Sequence, residues 1–385
     1  MREAVVVAYG RTAVGKSFKG SLKHTSPVDF TGQLIEGVLG KIPSLDVNEI
    51  DDVVLGCAIQ EASQSMNIAR NAAQRAGLPD SVPGHTVNRF CASGLEAIAT
   101  AANSILAGQS EVVIAGGVES MTKVPMPGYT WFPDPWLSEN RPGAFTAMGV
   151  TAQNIAERYN ITRDDQDLFA EESHRRAGKS EDLGIFAEEI VPIMAMKKDG
   201  SKFKFDKDEF IRRETSKDIL SRLNPLFRIN GSVTAGNSSP LSDGASCMVL
   251  MSSEKAASLG IKPIAKFVTY AVSGVDPEYM GIGPIKAIPK VLDKSSLSKD
   301  DFDVIELNEA FASQALACIR TLDLDETKIN PHGGALALGH PLGSTGCTLA
   351  IKALNELKRT NGKRALVSMC VGGGQGAAGI FELIG

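Results

Sequence analysis

At 385 residues with 43% apolar side chains, the chain exceeds what one hydrophobic core commonly serves, so two or three structural units are expected. The 40 basic and 45 acidic residues leave a net charge of −5, which argues against a general nucleic-acid binder. No apolar run approaches membrane-spanning length, and the cysteines (57, 91, 247, 318, 347 and 370) form no Cys-x-x-Cys pair, so a membrane span, a metal site and a disulfide framework are not expected.

The apolar, β-branched run 4–8 predicts an opening strand. It starts almost at Met1 and the last five residues carry no targeting tripeptide, so neither a signal nor a transit segment is expected and the expected location is cytoplasmic. Residues 10–17 then satisfy the phosphate-loop pattern Gly-x-x-x-x-Gly-Lys-Ser. Such a loop must open directly into a helix whose first amides hold the phosphates. Gly20 and Pro27 interrupt the succeeding residues, and a helix is predicted only from about 27, so nucleotide hydrolysis is rejected.

A strand over 85–88 runs into a helix predicted over 95–106, with Cys91 at the turn. Most lone cysteines are buried packing residues. At a helix N-terminus, however, unpaired N–H groups and the helix dipole bias a thiol toward thiolate, the nucleophilic form. Two later segments strengthen the chemical reading. Residues 339–346, Gly-His-Pro-Leu-Gly-Ser-Thr-Gly, place His340 among glycines ahead of a helix predicted over 344–359. Residues 370–376, Cys-Val-Gly-Gly-Gly-Gln-Gly, place Cys370 at the close of a strand over 365–369. Glycine lets a substrate lie against the main chain beside such groups. Two thiols and an imidazole suffice for covalent acyl transfer. Residues 374–379 also fit Gly-x-Gly-x-x-Gly, but the helix and acidic residue of a dinucleotide site have no place before Gly385.

The chain repeats itself. Residues 44–54 resemble 296–305, the segment from Cys91 through the strand over 111–115 parallels 339–369, and the opening strand has a counterpart over 264–268. Strands alternating with helices predict βαβ units, mainly parallel and covered on both faces. Residues 121–241 interrupt the repeat with Pro- and Trp-containing loops and charged helices. Within that stretch, 197–228 hold ten Lys or Arg and six Asp or Glu, a solvated face or a phosphate-binding patch.

Six stretches in order carry a resemblance over essentially the whole chain: Asn88 to Gly94, Gly116 to Met121, Val233 to Ser239, Asn308 to Phe311, and the His340 and Cys370 segments. The chain resembles a thiolase, an enzyme of 3-ketoacyl-CoA chemistry. The resemblance implies an α/β fold of duplicated domains in a five-layered α-β-α-β-α arrangement with an inserted loop domain. It divides the chain into 1–120 plus 242–262, the insertion 121–241, and 263–385. It implies Cys91 as nucleophile, His340 as its base and Cys370 as the second proton carrier. One oxyanion hole would come from His340 and a water held by Asn308, the other from the backbone N–H groups of Cys91 and Gly372. Without the resemblance, Asn308 reads as the cap of a helix over 310–319. Coenzyme A contacts are implied at Arg212, Phe227, Ala235, Ser239 and Met148. No cofactor is implied, since CoA is itself substrate, and the family's assembly implies a homodimer or homotetramer.

Ala147 departs from the His-Met-Gly common in acetoacetyl-CoA thiolases and favours degradative cleavage of longer 3-ketoacyl-CoA, with acetoacetyl-CoA synthesis as the alternative. Acyl-carrier-protein synthases share the fold but lack the second cysteine, and a non-catalytic lipid-binding relative would lack one of Cys91, His340 or Cys370. His24, His85 and His174 read as surface or packing residues. His332, in the same glycine-rich stretch as His340, stays open.

Overall fold

The structure is a computed structural model and describes residues 2–384. Its first half contains β1 Ala4–Arg11, the short β2 Gly15–Lys16, α1 Pro27–Leu39, β3 Asp52–Gly56, α2 Ile68–Arg75, β4 His85–Val87, α3 Ser93–Leu106 and β5 Val112–Ser120. An excursion follows, with α4 Pro135–Asn140, α5 Met148–Arg158, α6 Arg163–Asp182, the hairpin of β6 Ile193–Met196 and β7 Lys202–Phe205, and α7 Lys217–Leu220. Strand β8 Ser242–Ser252 re-enters the sheet and α8 Ser253–Ser258 leads on. The second half holds β9 Ala265–Gly274, α9 Gly283–Ser295, β10 Val304–Leu307, α10 Ala312–Leu322, α11 Ala335–Leu338, α12 Leu342–Thr360, β11 Arg364–Val371 and β12 Gln375–Leu383.

The sheet order β10-β11-β12-β9-β1-β8-β5-β3-β4 shows the duplication directly. Outward from the β1–β9 junction, β1, β8, β5 and β3 correspond to β9, β12, β11 and β10. A parallel bridge between Ile305 and Ile329 stands where β4 pairs with β3. The junction is narrow, pairing only Val5 with Lys266 and Val6 with Ala265.

The expectation of mainly parallel strands is corrected. Among the described strands, only β3 with β4 and β5, and β10 with β11, form parallel ladders; β8 and β12 each lie antiparallel to both neighbours. The β11–β12 connection is a tight turn through Gly373 and Gly374, both at positive φ, and so must return antiparallel. Helices cover both faces of these strands. A doubly buried antiparallel strand then carries the same unbroken apolar run as a parallel one, and composition cannot separate them.

Successive residues of β1 face opposite layers, as strand geometry requires. Val5 packs outward with Phe30, Leu34 and Ile68 of α1 and α2. Val6 packs inward with Leu95 and Ile98 of α3 and Leu354 of α12. On the far side, Ile288 and Val291 of α9 and Ile319 of α10 cover Ile305, Leu366 and Ile380. The five layers are thus α1/α2, the first half-sheet, α3/α12, the second half-sheet and α9/α10.

The two central helices touch through glycine. A Cβ on Gly94 would lie 2.8 Å from Cys347 N and from Gly343 O, and one on Gly346 would lie 2.4 Å from Leu95 N. This close crossing brings together the two helix N-termini, one just after Cys91 and the other just after His340. Both rejected motifs are accounted for as well. Gly10 and Arg11 finish β1, Gly15 and Lys16 pair with Asp243 and Ser242, and no helix begins before Pro27 among the described residues. Residues 375–379 belong to β12.

Candidate active site

Cys91 sits in a single 3-10 turn, Phe90–Ala92, directly ahead of α3. The turn is tight enough to hold Phe90 at φ +41. Asn88 supports it from both ends of its amide: Oδ1 accepts from Phe90 N at 2.8 Å and Nδ2 donates to Ala58 O at 2.9 Å. Cys91 packs with Ala58, Ile59, Met121 and Leu342, and so lies beside the segment that carries His340.

The expected thiolate bias is corrected. Burial pushes the Cys91 thiol up to about 11, and the N–H groups of Gly372 and of Cys91 itself offset this only in part, while the Glu119 charge adds to it. At neutral pH the resting sulfur is therefore protonated and needs a base. The same two N–H groups both act at the sulfur, one from each half of the fold, and are placed to serve an oxyanion formed there. Cys370, within β11 and not after it, is fully buried. Burial raises its thiol well above the ordinary value, and proximity to Cys91 and Cys318 raises it further.

His340 precedes α12 and is buried. Its Nδ1 lies 2.6 Å from Thr345 Oγ1, which in turn donates to Pro341 O at 2.8 Å. A hydroxyl has one proton. With that proton committed to Pro341 O, Nδ1 carries the imidazole proton and donates to Thr345 Oγ1, leaving Nε2 bare as the basic nitrogen. Burial pulls the imidazole down to about 4, so it is neutral at physiological pH.

Asn308 Nδ2 faces Nε2 at 3.4 Å. Asn308 is not a helix cap: α10 starts at Ala312 with Phe311 at the capping position. Its main-chain N–H donates to Ser368 O at 2.9 Å, which ties it to the strand bearing Cys370, two residues further on. Among the described residues nothing donates to the buried Asn308 Oδ1, which fits an acceptor for a water or substrate group.

Of the expected CoA contacts, Met148 lies beside Gly372 and packs with the Cys370 cluster of Ala310, Phe311 and Met280. Phe227 stacks edge-on against Phe311, with ring centroids 6.4 Å apart. Ser239 N donates to Ala310 O. Ala235 is exposed. Arg212 is exposed too, and its backbone N–H is held by His174 Nδ1. The remaining histidines lie elsewhere. His24 and His85 are exposed, His174 is a buried packing residue, and His332 is bound between Ser180 and Glu356.

Glu119 is a residue that the sequence alone does not single out. The penultimate residue of β5, it is fully buried and accepts from Ala58 N at 2.8 Å, Gly343 N at 2.9 Å, Ile59 N at 3.4 Å and Gln64 Nε2 at 2.7 Å. It lies within the 116–121 stretch that carries the resemblance, but nothing in that stretch marks the carboxylate itself beyond a charge closing an apolar, glycine-containing strand. Among the described residues, no cluster of three or more His, Cys, Asp or Glu could hold a metal ion, and no helix is long and apolar enough to cross a membrane.

The description "Thiolase, N-terminal domain" matches residues 4–254, and "Thiolase, C-terminal domain" matches 261–383. A 3-ketoacyl-CoA thiolase of Bacillus subtilis is 48% identical over the full length of both chains. A beta-ketothiolase of Cupriavidus necator is 43% identical, again over both full lengths. The crystal structure of an acetyl-CoA acetyltransferase from Bacillus anthracis superposes with a TM-score of 0.92 at 41% identity, covering 100% of this chain and 99% of that one. With the duplicated layers and the site between them, these matches establish that the chain is an enzyme of the thiolase family.

Proposed function

We propose that this enzyme cleaves 3-ketoacyl-CoA with CoA, giving acetyl-CoA and a shortened acyl-CoA through an acyl-Cys91 intermediate. The observation that carries the reading is that the Cys91 sulfur meets backbone N–H donors from both halves of the fold, with the Cys370 thiol near it and a neutral, oriented imidazole on the segment whose Leu342 packs against Cys91. Cys91 Sγ attacks the 3-keto carbon as His340 Nε2 takes the thiol proton. The Cα–Cβ bond then breaks, leaving the acyl group on sulfur and the electron pair on acetyl-CoA as an enolate. Cys370 donates its proton to that carbon. The Cys370 thiolate next removes the proton of incoming CoA, whose sulfur attacks the acyl-Cys91 carbonyl. Collapse of that adduct releases acyl-CoA, and the His340 proton returns to the Cys91 sulfur. The high thiol value of Cys370 suits it to protonate a carbanion and to be a strong base afterwards.

The N–H groups of Cys91 and Gly372 would hold the oxyanion of the acyl-enzyme. His340 and a water on Asn308 would hold that of the enolate. Each such donor is worth about 2.7–4 kcal/mol of barrier. Phe227, Met148, Ala235 and Ser239 would line the pantetheine channel, and Arg212 on the exposed insertion would meet the nucleotide. CoA is substrate, and no resident cofactor or metal enters the scheme. A cytoplasmic homodimer or homotetramer belongs to the same reading, with the exposed Trp131, Phe132 and Trp136 as apolar surface for chain association.

The second reading is acetoacetyl-CoA synthesis, the same steps reversed with Cys370 removing the α-proton of acetyl-CoA. It draws support from the acetyltransferase name of the B. anthracis relative. Ala147, exposed directly ahead of Met148, favours the first, because it leaves room where a histidine would stand. Thiolysis of C4 to C16 3-ketoacyl-CoA decides between them. Cleavage of chains of six or more carbons at least as efficient as of acetoacetyl-CoA, with the ratio lowered by Ala147→His, supports degradation. Activity confined to C4 and unmoved by Ala147→His supports synthesis.

A further inference from the structure

The nucleophile turn and the histidine segment come from opposite halves of the chain, yet acyl transfer needs them in one register. A hydrogen-bonded path joins them. It runs from the Cys91 turn through the Asn88 amide to Ala58 O, from the neighbouring Ala58 N–H to Glu119 Oε2, and from that same oxygen to the N–H of Gly343, in the first turn of α12. The other oxygen, Oε1, is held by Gln64 Nε2 and Ile59 N. We propose that Glu119 is the positioning residue that locks the Cys91 turn and the His340 segment into their reactive arrangement.

Three features separate this from ordinary burial of a carboxylate. No cation pairs with Glu119 among the described residues, so its charge is carried by N–H donors and by the positive end of α12. A buried carboxylate held this way has a steep cost if any donor moves away, which makes the arrangement stiff. The neighbours also leave little slack. A Cβ on Gly343 would lie 2.4 Å from Val118 O, and one on Gly117 would lie 1.9 Å from Gly343 O, so α12 is pressed directly on β5 beside the carboxylate. The path also ends close to the base, since only Pro341 and Leu342 stand between His340 and Gly343. A displacement of about 1 Å in a reacting group can cost 10²-fold in rate.

The inference rests on the roles proposed for Cys91 and His340, and its test separates the two. The rate of acyl transfer to Cys91 from acetyl-CoA is followed by rapid quench and intact-protein mass spectrometry in wild type, Glu119→Gln and Asn88→Asp. Glutamine is close to isosteric, but its NH2 must face N–H donors on one side, so one anchor opens. Asn88→Asp still accepts from Phe90 N but no longer donates to Ala58 O, cutting the same path at its far end. Both variants are expected to acylate Cys91 about 10–100-fold more slowly, with kcat falling in step and KM for CoA within about twofold. Wild type that is never acylated at Cys91 contradicts the catalytic reading itself. Acylation at the wild-type rate in folded Glu119→Gln, or kcat and KM falling together with a lowered Tm, overturns the positioning role. Should Glu119→Gln fail to fold, Asn88→Asp alone decides: wild-type acylation overturns the proposal and selective slowing upholds it.

Discussion

The two halves of the molecule share a strand order and a buried central helix, and they differ in what stands at matching places. Ahead of α3 the first half sets Cys91 in a 3-10 turn. Ahead of α12 the second half sets His340 on an extended segment closed by Thr345. At the end of β5 stands a buried carboxylate, Glu119, and the chain departs into the long excursion; at the end of β11 stands a buried thiol, Cys370, and the chain turns straight back. Duplication supplied the frame, two helix N-termini meeting across glycine contacts. The residues at those ends differ between the halves, so neither half holds the whole candidate site.

The sharpest way to break this division is to remove Cys370, the proposed proton carrier, alone. Cys370→Ala is expected to lower turnover about 10²–10⁴-fold, the usual worth of a positioned acid–base group, while Cys91 still takes up an acyl group from acyl-CoA. Steady-state thiolysis beside intact-mass measurement checks this. Loss of acylation as well as turnover would mean that the two thiols do not divide the work.

A smaller effect tests the shared frame. Gly346→Ala places a methyl 2.4 Å from Leu95 N, so α3 and α12 must part. About 1–3 kcal/mol of overpacking is expected, read in urea unfolding. Gly40→Ala is the control. Gly40 has φ −59 and a Cβ there would sit 3.5 Å from its nearest neighbours, so that variant should be neutral or slightly stabilising. Equal losses at both positions would remove the close crossing from the account.

The gentlest test uses pH. Burial holds His340, between the halves, and His174, in the excursion, down at about 4 against an ordinary 6.5. Both pKa values are depressed on folding, so the unfolded chain binds more protons between about pH 6.5 and 4. The stability tied to the neutral rings is fully present above 6.5 and is lost as pH falls toward 4. His174→Gln should flatten that acid limb in Tm against pH without touching kcat. A limb of unchanged slope would show that His174 does not titrate in this window.

Much of the site was legible because its groups punctuate the pattern: Cys91, His340 and Cys370 each stand among small residues between apolar runs. The repeat was legible for the same reason, and it predicted the matching halves of the sheet. Strand direction was not, since β8 and β12 are buried on both faces and alternate no more than a parallel strand would. Burial also reversed the expected charge of Cys91, because a helix terminus shows in sequence while the desolvation around it does not. Without the resemblance Asn308 reads as a helix cap, whereas in the structure its amide is aimed at His340. Glu119 was hidden most completely: its donors come from Ala58, Ile59, Gln64 and Gly343, segments that only the fold brings to one carboxylate.

The central claim is that Cys91 alone carries the acyl group. Incubation with a 3-ketoacyl-CoA in the absence of free CoA, followed by peptide mapping, tests it most directly. The account predicts one acyl group per chain on the peptide containing Cys91 and none in Cys91→Ala. An acyl group at full occupancy in Cys91→Ala, or one mapped to Cys370 in the wild type, would contradict it.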